Sequence, residues 1–224
     1  MRYIQAQQIL KKLEKEFPLS KNQRTKANDP FKTLIATIIS QNTNDKNASK
    51  AFKNLSLRFK ISPEVLAFAE ISQIRECLRV GGLYNAKANA IRQVSEEILG
   101  RYAGNINQIL SMSLEKARKS LMQLTNVGPK TADIILLFSA GKPTIPIDTH
   151  VNRVSKRLQL APEKANYESV RNSLQTIFKP KNYLAVHVLL IAHGRRYCKA
   201  RKPLCSQCPV NDLCRSRTEV KGND

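Results

Sequence analysis

Apolar residues recur along most of this chain at three- and four-residue intervals, interrupted by proline, glycine and short polar runs. That spacing predicts helices. Over residues 3–17, Ile4, Ile9, Leu10, Leu13 and Phe17 fall mostly on one helical face, and Pro18 ends the pattern. Residues 19–29, LSKNQRTKAND, are polar and basic and read as a linker. Asp29-Pro30 then starts a helix whose first position suits proline, because the missing N–H costs nothing there. It carries Phe31, Leu34, Ile35, Ile38 and Ile39 and runs out in SQNTND, where Asp45 is placed to cap a helix bearing Ala48, Ala51, Phe52 and Leu55. Pro63 opens a short helix, and Ile71, Ile74 and Leu78 mark another that Gly81-Gly82 ends. A longer helix over 83–99 places Ala90, Ile91, Val94 and Ile98 on its core face, and Gly100 stops it. Further helices follow from Leu114, Ala117, Leu121 and Met122, from Val170, Leu174 and Ile177 ahead of Pro180, and from the apolar run YLAVHVLLIA at 183–192. No strand-length run alternates with period two, so the expected fold is all-α.

Between Met122 and His150 the pattern acquires chemistry. Leu124-Thr125-Asn126-Val127-Gly128 reads as a tight turn, with Gly128 supplying backbone freedom and Asn126 tolerating a left-handed conformation. Pro129 starts the next helix, Lys130 to Ala140, which is apolar nearly all round and therefore a buried core element. Its N-terminus offers free N–H groups and a positive dipole end, a ready site for phosphate. Lys130 stands at that end, where the helix disfavours an ammonium and favours the neutral amine. Asp148 opens a helix continued by Val151, Val154 and Leu158, as a cap and as a carboxylate that stays ionised.

Composition narrows the partner. Lys and Arg number 38 against 17 Asp and Glu, a formal charge of +21 in 224 residues. Such an excess suits an anionic polymer or a membrane surface; a generic solvated basic face is the plain alternative. No apolar run is long enough to span a bilayer and no signal segment opens the chain, so a cytosolic or nucleoid location is expected. Of five cysteines, Cys77 reads as a small buried hydrophobe. Cys198, Cys205, Cys208 and Cys214 follow a C-x6-C-x2-C-x5-C spacing, which reads as a metal site and suits either zinc or an iron–sulfur cluster. The loop also carries Arg195, Arg196, Lys199, Arg201, Lys202, Arg215 and Arg217, placed to offset an anionic cluster and to meet phosphate.

LTNVGPKTAD followed by IPIDTH resembles the helix-hairpin-helix and catalytic aspartate of the endonuclease III family of DNA glycosylases. DPFKTLIATIISQNTND and VGGLYNAKANAI look like family segments too, and the resemblance spans roughly residues 25–214. Two departures are local: Thr125-Asn126 stands where the family usually has Pro-Gly, and Pro129 where a basic residue is common. The resemblance implies two helical domains with the active site between them. A helical barrel over 27–135 carries the hairpin, 113–140, across the boundary. A discontinuous domain over 1–26 and 136–224 holds the cysteine loop at 198–214. It also implies Lys130 as nucleophile, Asp148 as the catalytic aspartate and electrostatic partner of that lysine, and a structural [4Fe-4S] cluster on Cys198, Cys205, Cys208 and Cys214. Gln41 and Leu83 match a polar plug and an apolar wedge that fill the space left by a flipped nucleotide. Asn126, Gly128, Lys130, Thr131 and Arg153 are further candidate DNA contacts. Asn42, Asp45, Tyr84, Asn85 and Lys87 are secondary candidates, and Asp133 is placed to tune Lys130. His150 receives no catalytic role, His187 reads as buried and satisfied, and His193 as a contact to phosphate or to the cysteine loop. The expected activity is excision of damaged bases, oxidised pyrimidines foremost, with strand cleavage through a lysine Schiff base. The expected partner is double-stranded DNA with damaged bases or abasic sites, met by a monomer and away from membranes. The rivals are a mismatch-specific sibling, a non-catalytic hairpin DNA-binding protein and a zinc-dependent nucleic-acid module.

Overall fold

The computed structural model describes residues 2–19 and 29–217, so most of the basic linker expected over 19–29 lies outside the described residues. The helices are α1 (Arg2–Glu16), α2 (Pro30–Ser40), α3 (Asp45–Arg58), α4 (Pro63–Phe68), α5 (Ile71–Leu78), α6 (Tyr84–Tyr102), α7 (Asn107–Leu110), α8 (Leu114–Met122), α9 (Pro129–Phe138), α10 (Thr149–Arg157), α11 (Tyr167–Ile177) and α12 (Tyr183–Arg196). Among the described residues there is no strand, and no helix is long and apolar enough to cross a membrane. The fold is all-α.

Contacts divide the chain into two compact units. One joins α1 to the chain from Pro143 onward; the other runs through Lys142 and contains α2 to α9. The sequence-based change of domain at 135/136 falls inside α9, which lies whole in the second unit.

That second unit is built around α2 and α9. Leu34, Ile35, Ile38 and Ile39 of α2 are fully buried, as are Ile135 and Leu136 of α9. Leu55, Ile74, Leu78, Ile91, Val94 and Ile98 close the same core from α3, α5 and α6. Each of these large side chains removed from water contributes about 1.5–3 kcal/mol, which outweighs weak local propensities. Side chains satisfy free N–H groups at the helix starts: Asp29 accepts from Lys32 N at 3.0 Å, and Asn44 from Asn47 N at 2.9 Å. The cap of α3 is thus Asn44, with Asp45 inside the first turn. Gly100 does not stop α6. Gly100 keeps a negative φ, so the helix passes through it and ends at Ala103 and Gly104, at φ +47° and +76°. A Cβ at Gly104 would also collide with the Glu64 carboxylate. The short α7 has too little periodicity to be legible beforehand. Met122, one of the apolar residues that mark α8 in the sequence, is 39% exposed.

In the other unit, α1 buries Ala6, Ile9, Leu10 and Leu13, while Ile4 of the same expected face is exposed. Side chains tie α1 to the cysteine loop, where Gln5 Nε2 donates to Leu213 O and Lys12 pairs with Asp212, both at 2.7 Å, and to the end of α12, where Tyr197 OH donates to Glu16 at 2.7 Å.

Candidate active site and cysteine loop

The hairpin joins α8 to α9 through a turn whose Leu124 and Val127 are buried. The left-handed residue is Asn126, at φ +62°. Gly128 instead is extended, at φ −85° and ψ 179°, and a Cβ there would meet nothing within 4 Å. The fold itself therefore does not require glycine at 128; what its absent side chain leaves open is approach to the N-terminus of α9. Thr125 and Asn126 are each held by a side chain distant in sequence. Thr125 donates its N–H to Glu97 at 2.9 Å and its hydroxyl at 2.5 Å. Asn126 Nδ2 donates to Gln41 Oε1 at 3.0 Å.

Behind the turn, Arg118 of α8 forks onto Asp133 of α9 with bonds of 3.0 and 3.2 Å. The Asp133 side chain is 0% exposed and that of Arg118 11%, so this pair is out of water. Asp133 thus braces the hairpin arms. Losing one side of such a pair is costlier than the pair's net worth, because the other charge remains buried. Arg118→Met is expected to lower unfolding stability by about 3–5 kcal/mol, read from urea melts. A change below about 1 kcal/mol would mean the brace is dispensable.

Lys130 is exposed in the first turn of α9. Thr131 is buried beside it and accepts from Gln41 Nε2 at 3.4 Å. Asp148 is half-buried as the N-cap of α10; its Oδ1 accepts from Val151 N at 2.7 Å. Lys130 and Asp148 belong to different compact units.

Leu83 is 59% exposed and sits at φ +48°, directly after Gly82 at +64°. An exposed leucine in the left-handed region costs backbone strain without burying its side chain, and such strain marks sites of function. Lys87 lies beneath this turn. It is buried, donates from Nζ to Gly81 O at 3.0 Å, and burial lowers its pKa. Lys87 is therefore a brace of the Gly81–Leu83 turn rather than a group that enters DNA. Asn42, at φ +52°, Asp45 and Asn85 are exposed, and Tyr84 is half-buried.

Arg153 differs from expectation. Its guanidinium donates to Cys198 O and Gly194 O, both at 3.0 Å, and lies 3.1 Å from His150 Nδ1. These bonds tie α10 to the end of α12 and leave little of the group for phosphate. His187 is buried with Nδ1 2.9 Å from Pro146 O, as a satisfied core histidine should be. Cys77 is buried in the barrel core.

Cys198, Cys205, Cys208 and Cys214 line one cavity together with Arg157, Leu158, His193, Tyr197 and Leu204. No three metal-ligating side chains among the described residues are close enough to hold a single ion. The four thiols stand around one cavity, a donor set that fits an iron–sulfur cluster. Burial, and then the neighbouring thiols, push Cys208 up to about 11; burial also raises Cys214. Four thiolates so placed need a cation among them, which iron supplies. Arg157 Nη1 lies 3.5 Å from Cys198 Sγ, and His193 Nε2 lies 3.8 Å from Cys208 Sγ. Burial lowers His193 to about 4, and at 1% exposure it is a neighbour of the thiols, out of reach of phosphate. Arg195, Arg196, Lys199, Arg201, Lys202, Arg215 and Arg217 are exposed around this cavity's loop. Cys208→Ser is expected to reduce bound iron and the visible iron–sulfur absorption to below about half of wild type; full iron content in the variant would remove Cys208 as a ligand.

Comparison with known proteins agrees with this geometry. Residues 35–180 match the HhH-GPD superfamily of base excision DNA repair proteins, and residues 198–214 match the iron–sulfur binding domain of endonuclease III. Endonuclease III of Sulfolobus acidocaldarius is 35% identical over 94% of this chain and 95% of its own. That of Escherichia coli is 34% identical over 85% of this chain and 86% of its own. A solved trapped endonuclease III–DNA covalent intermediate superposes with a TM-score of 0.85 at 29% identity, covering 98% of both chains. A non-covalent endonuclease III–DNA complex gives the same TM-score over 99% of both.

Proposed function

Because the chain belongs to the HhH-GPD superfamily of base excision DNA repair proteins, as a DNA glycosylase and apurinic/apyrimidinic lyase of the endonuclease III type with a [4Fe-4S] cluster, we propose that Lys130 is its nucleophile, Asp148 the electrostatic partner of that nucleophile, and oxidised pyrimidines in duplex DNA its substrates.

The observation that carries this reading is an exposed lysine in the first turn of a buried helix, directly after a DNA-binding hairpin. The amine attacks the sugar C1′ as the C1′–base bond breaks and the base leaves with its electron pair. The amine gives up a proton, the ring opens as the C1′–O4′ bond breaks and O4′ takes a proton, and a protonated Schiff base links Nζ to C1′. Loss of a C2′ proton then expels the 3′ phosphate, which cuts the strand. Asp148 caps the N-terminus of α10 through Val151 N, and its carboxylate stabilises positive charge growing on the sugar. The nucleotide is flipped out, with Gln41 and Leu83 filling the space it leaves. Cys198, Cys205, Cys208 and Cys214 hold the cluster, which shapes a basic loop and takes no part in bond breaking. The protein acts as a monomer on damaged or abasic duplexes.

The test is a panel of duplexes, each with one lesion, incubated with and without borohydride. Oxidised pyrimidines are expected to be excised fastest and to give a covalent protein–DNA complex. Faster release of mismatched thymine or adenine, with no trapped complex, would assign the protein to a strand-sparing sibling.

A further inference from the structure

The amide of Gln41 is bonded at both ends to the hairpin. Asn126 O is a carbonyl and can only accept, so the Gln41 atom facing it must be Nε2, which donates at 3.3 Å and also reaches Thr131 Oγ1 at 3.4 Å. That turns Oε1 toward the Asn126 side chain, where only Nδ2 can donate to it, at 3.0 Å. The backbone carbonyl thus fixes the orientation of both amides. Gln41 itself follows the last turn of α2 in extended backbone, φ −60° and ψ 129°, and Asn42 next to it is left-handed at φ +52°. The plug residue therefore sits on a bend rather than on a helix, and its head is aimed by the hairpin.

We propose that Asn126 is a positioning residue for Gln41, so that the plug and the hairpin turn enter opened DNA as one unit. The position makes two demands at once. The backbone needs φ +62°, which asparagine, aspartate and glycine tolerate. Gln41 Oε1 needs a donor, which among these only asparagine supplies. Without it, the long glutamine side chain must be ordered at the moment of insertion, at a cost in rotamer freedom. The inference rests on the reading of Gln41 as the filler of the vacated space.

The experiment compares wild type, Asn126→Gly, Asn126→Asp and Gln41→Ala, each on two substrates: a lesion in a fully paired duplex, and an abasic site in single-stranded DNA, where no stack needs filling. The readout is the duplex rate divided by the single-strand rate of the same protein. Both Asn126 variants are expected to lower this ratio about three- to tenfold, the worth of one positioning hydrogen bond. In a Gln41→Ala background the Asn126 changes are expected to lower it no further. A purely structural role would slow both substrates alike and leave the ratio in place, which overturns the proposal. An Asn126 effect of undiminished size without Gln41 overturns it too. If wild type itself neither excises a lesion nor cuts an abasic site, the glycosylase reading falls and takes this inference with it.

Discussion

Lys130→Gln is expected to give no borohydride-trapped complex and to cleave damaged duplex at least about a hundredfold more slowly than wild type. Its stability is expected to stay within about 0.5 kcal/mol of wild type, because the side chain is exposed in the first turn of α9. A cation at a helix N-terminus is mildly unfavourable, so any change in melting should be upward. Glutamine keeps most of the length and the polarity but has no amine able to form an imine. The two readouts together isolate chemistry from folding. Trapping by the variant at the wild-type level would show that another amine does the work.

The parts of this protein legible in its sequence are those set by local rules. α2 and α9 were readable because nearly every turn carries large aliphatic residues behind an N1 proline. The cysteine loop was readable because four thiols within one short segment restrict the chemistry whatever the fold around them. What escaped depends on side-chain direction across long sequence separations. Arg118 and Asp133 meet only once the hairpin turn brings α8 and α9 together, and Glu97 reaches Thr125 from a helix 28 positions earlier in the chain. Glu97 in particular accounts for the departure at Thr125. A proline there would have no N–H, whereas threonine brings a backbone donor and a hydroxyl, and one carboxylate takes both. Lys87 and Arg153, candidate DNA contacts in the sequence, are both turned inward onto backbone carbonyls. Helix ends were misplaced where the stop was a non-glycine residue at positive φ, as at Ala103, since its neighbours in sequence do not mark it.

Asp148 has two roles that ordinary truncation would confound, and a pair of substitutions separates them. As the N-cap of α10 it accepts from Val151 N at 2.7 Å, a bond that an asparagine oxygen makes as well. As the proposed partner of a developing sugar cation it must be negatively charged, and asparagine is not. Asp148→Asn is therefore expected to melt with wild type while excision falls about 10²–10³-fold, the size of effect seen when one preorganised electrostatic group is removed. Asp148→Ala loses the cap too, so the same rate loss should come with a stability loss of about 1 kcal/mol. Binding to uncleaved duplex should not weaken in either variant, because removing an anion from a basic protein favours phosphate. That places the loss in the rate of the bound complex rather than in the affinity for substrate. An Asp148→Asn protein that excises within about threefold of wild type would reduce Asp148 to a helix cap, and the positive charge on the sugar would need a different counterion.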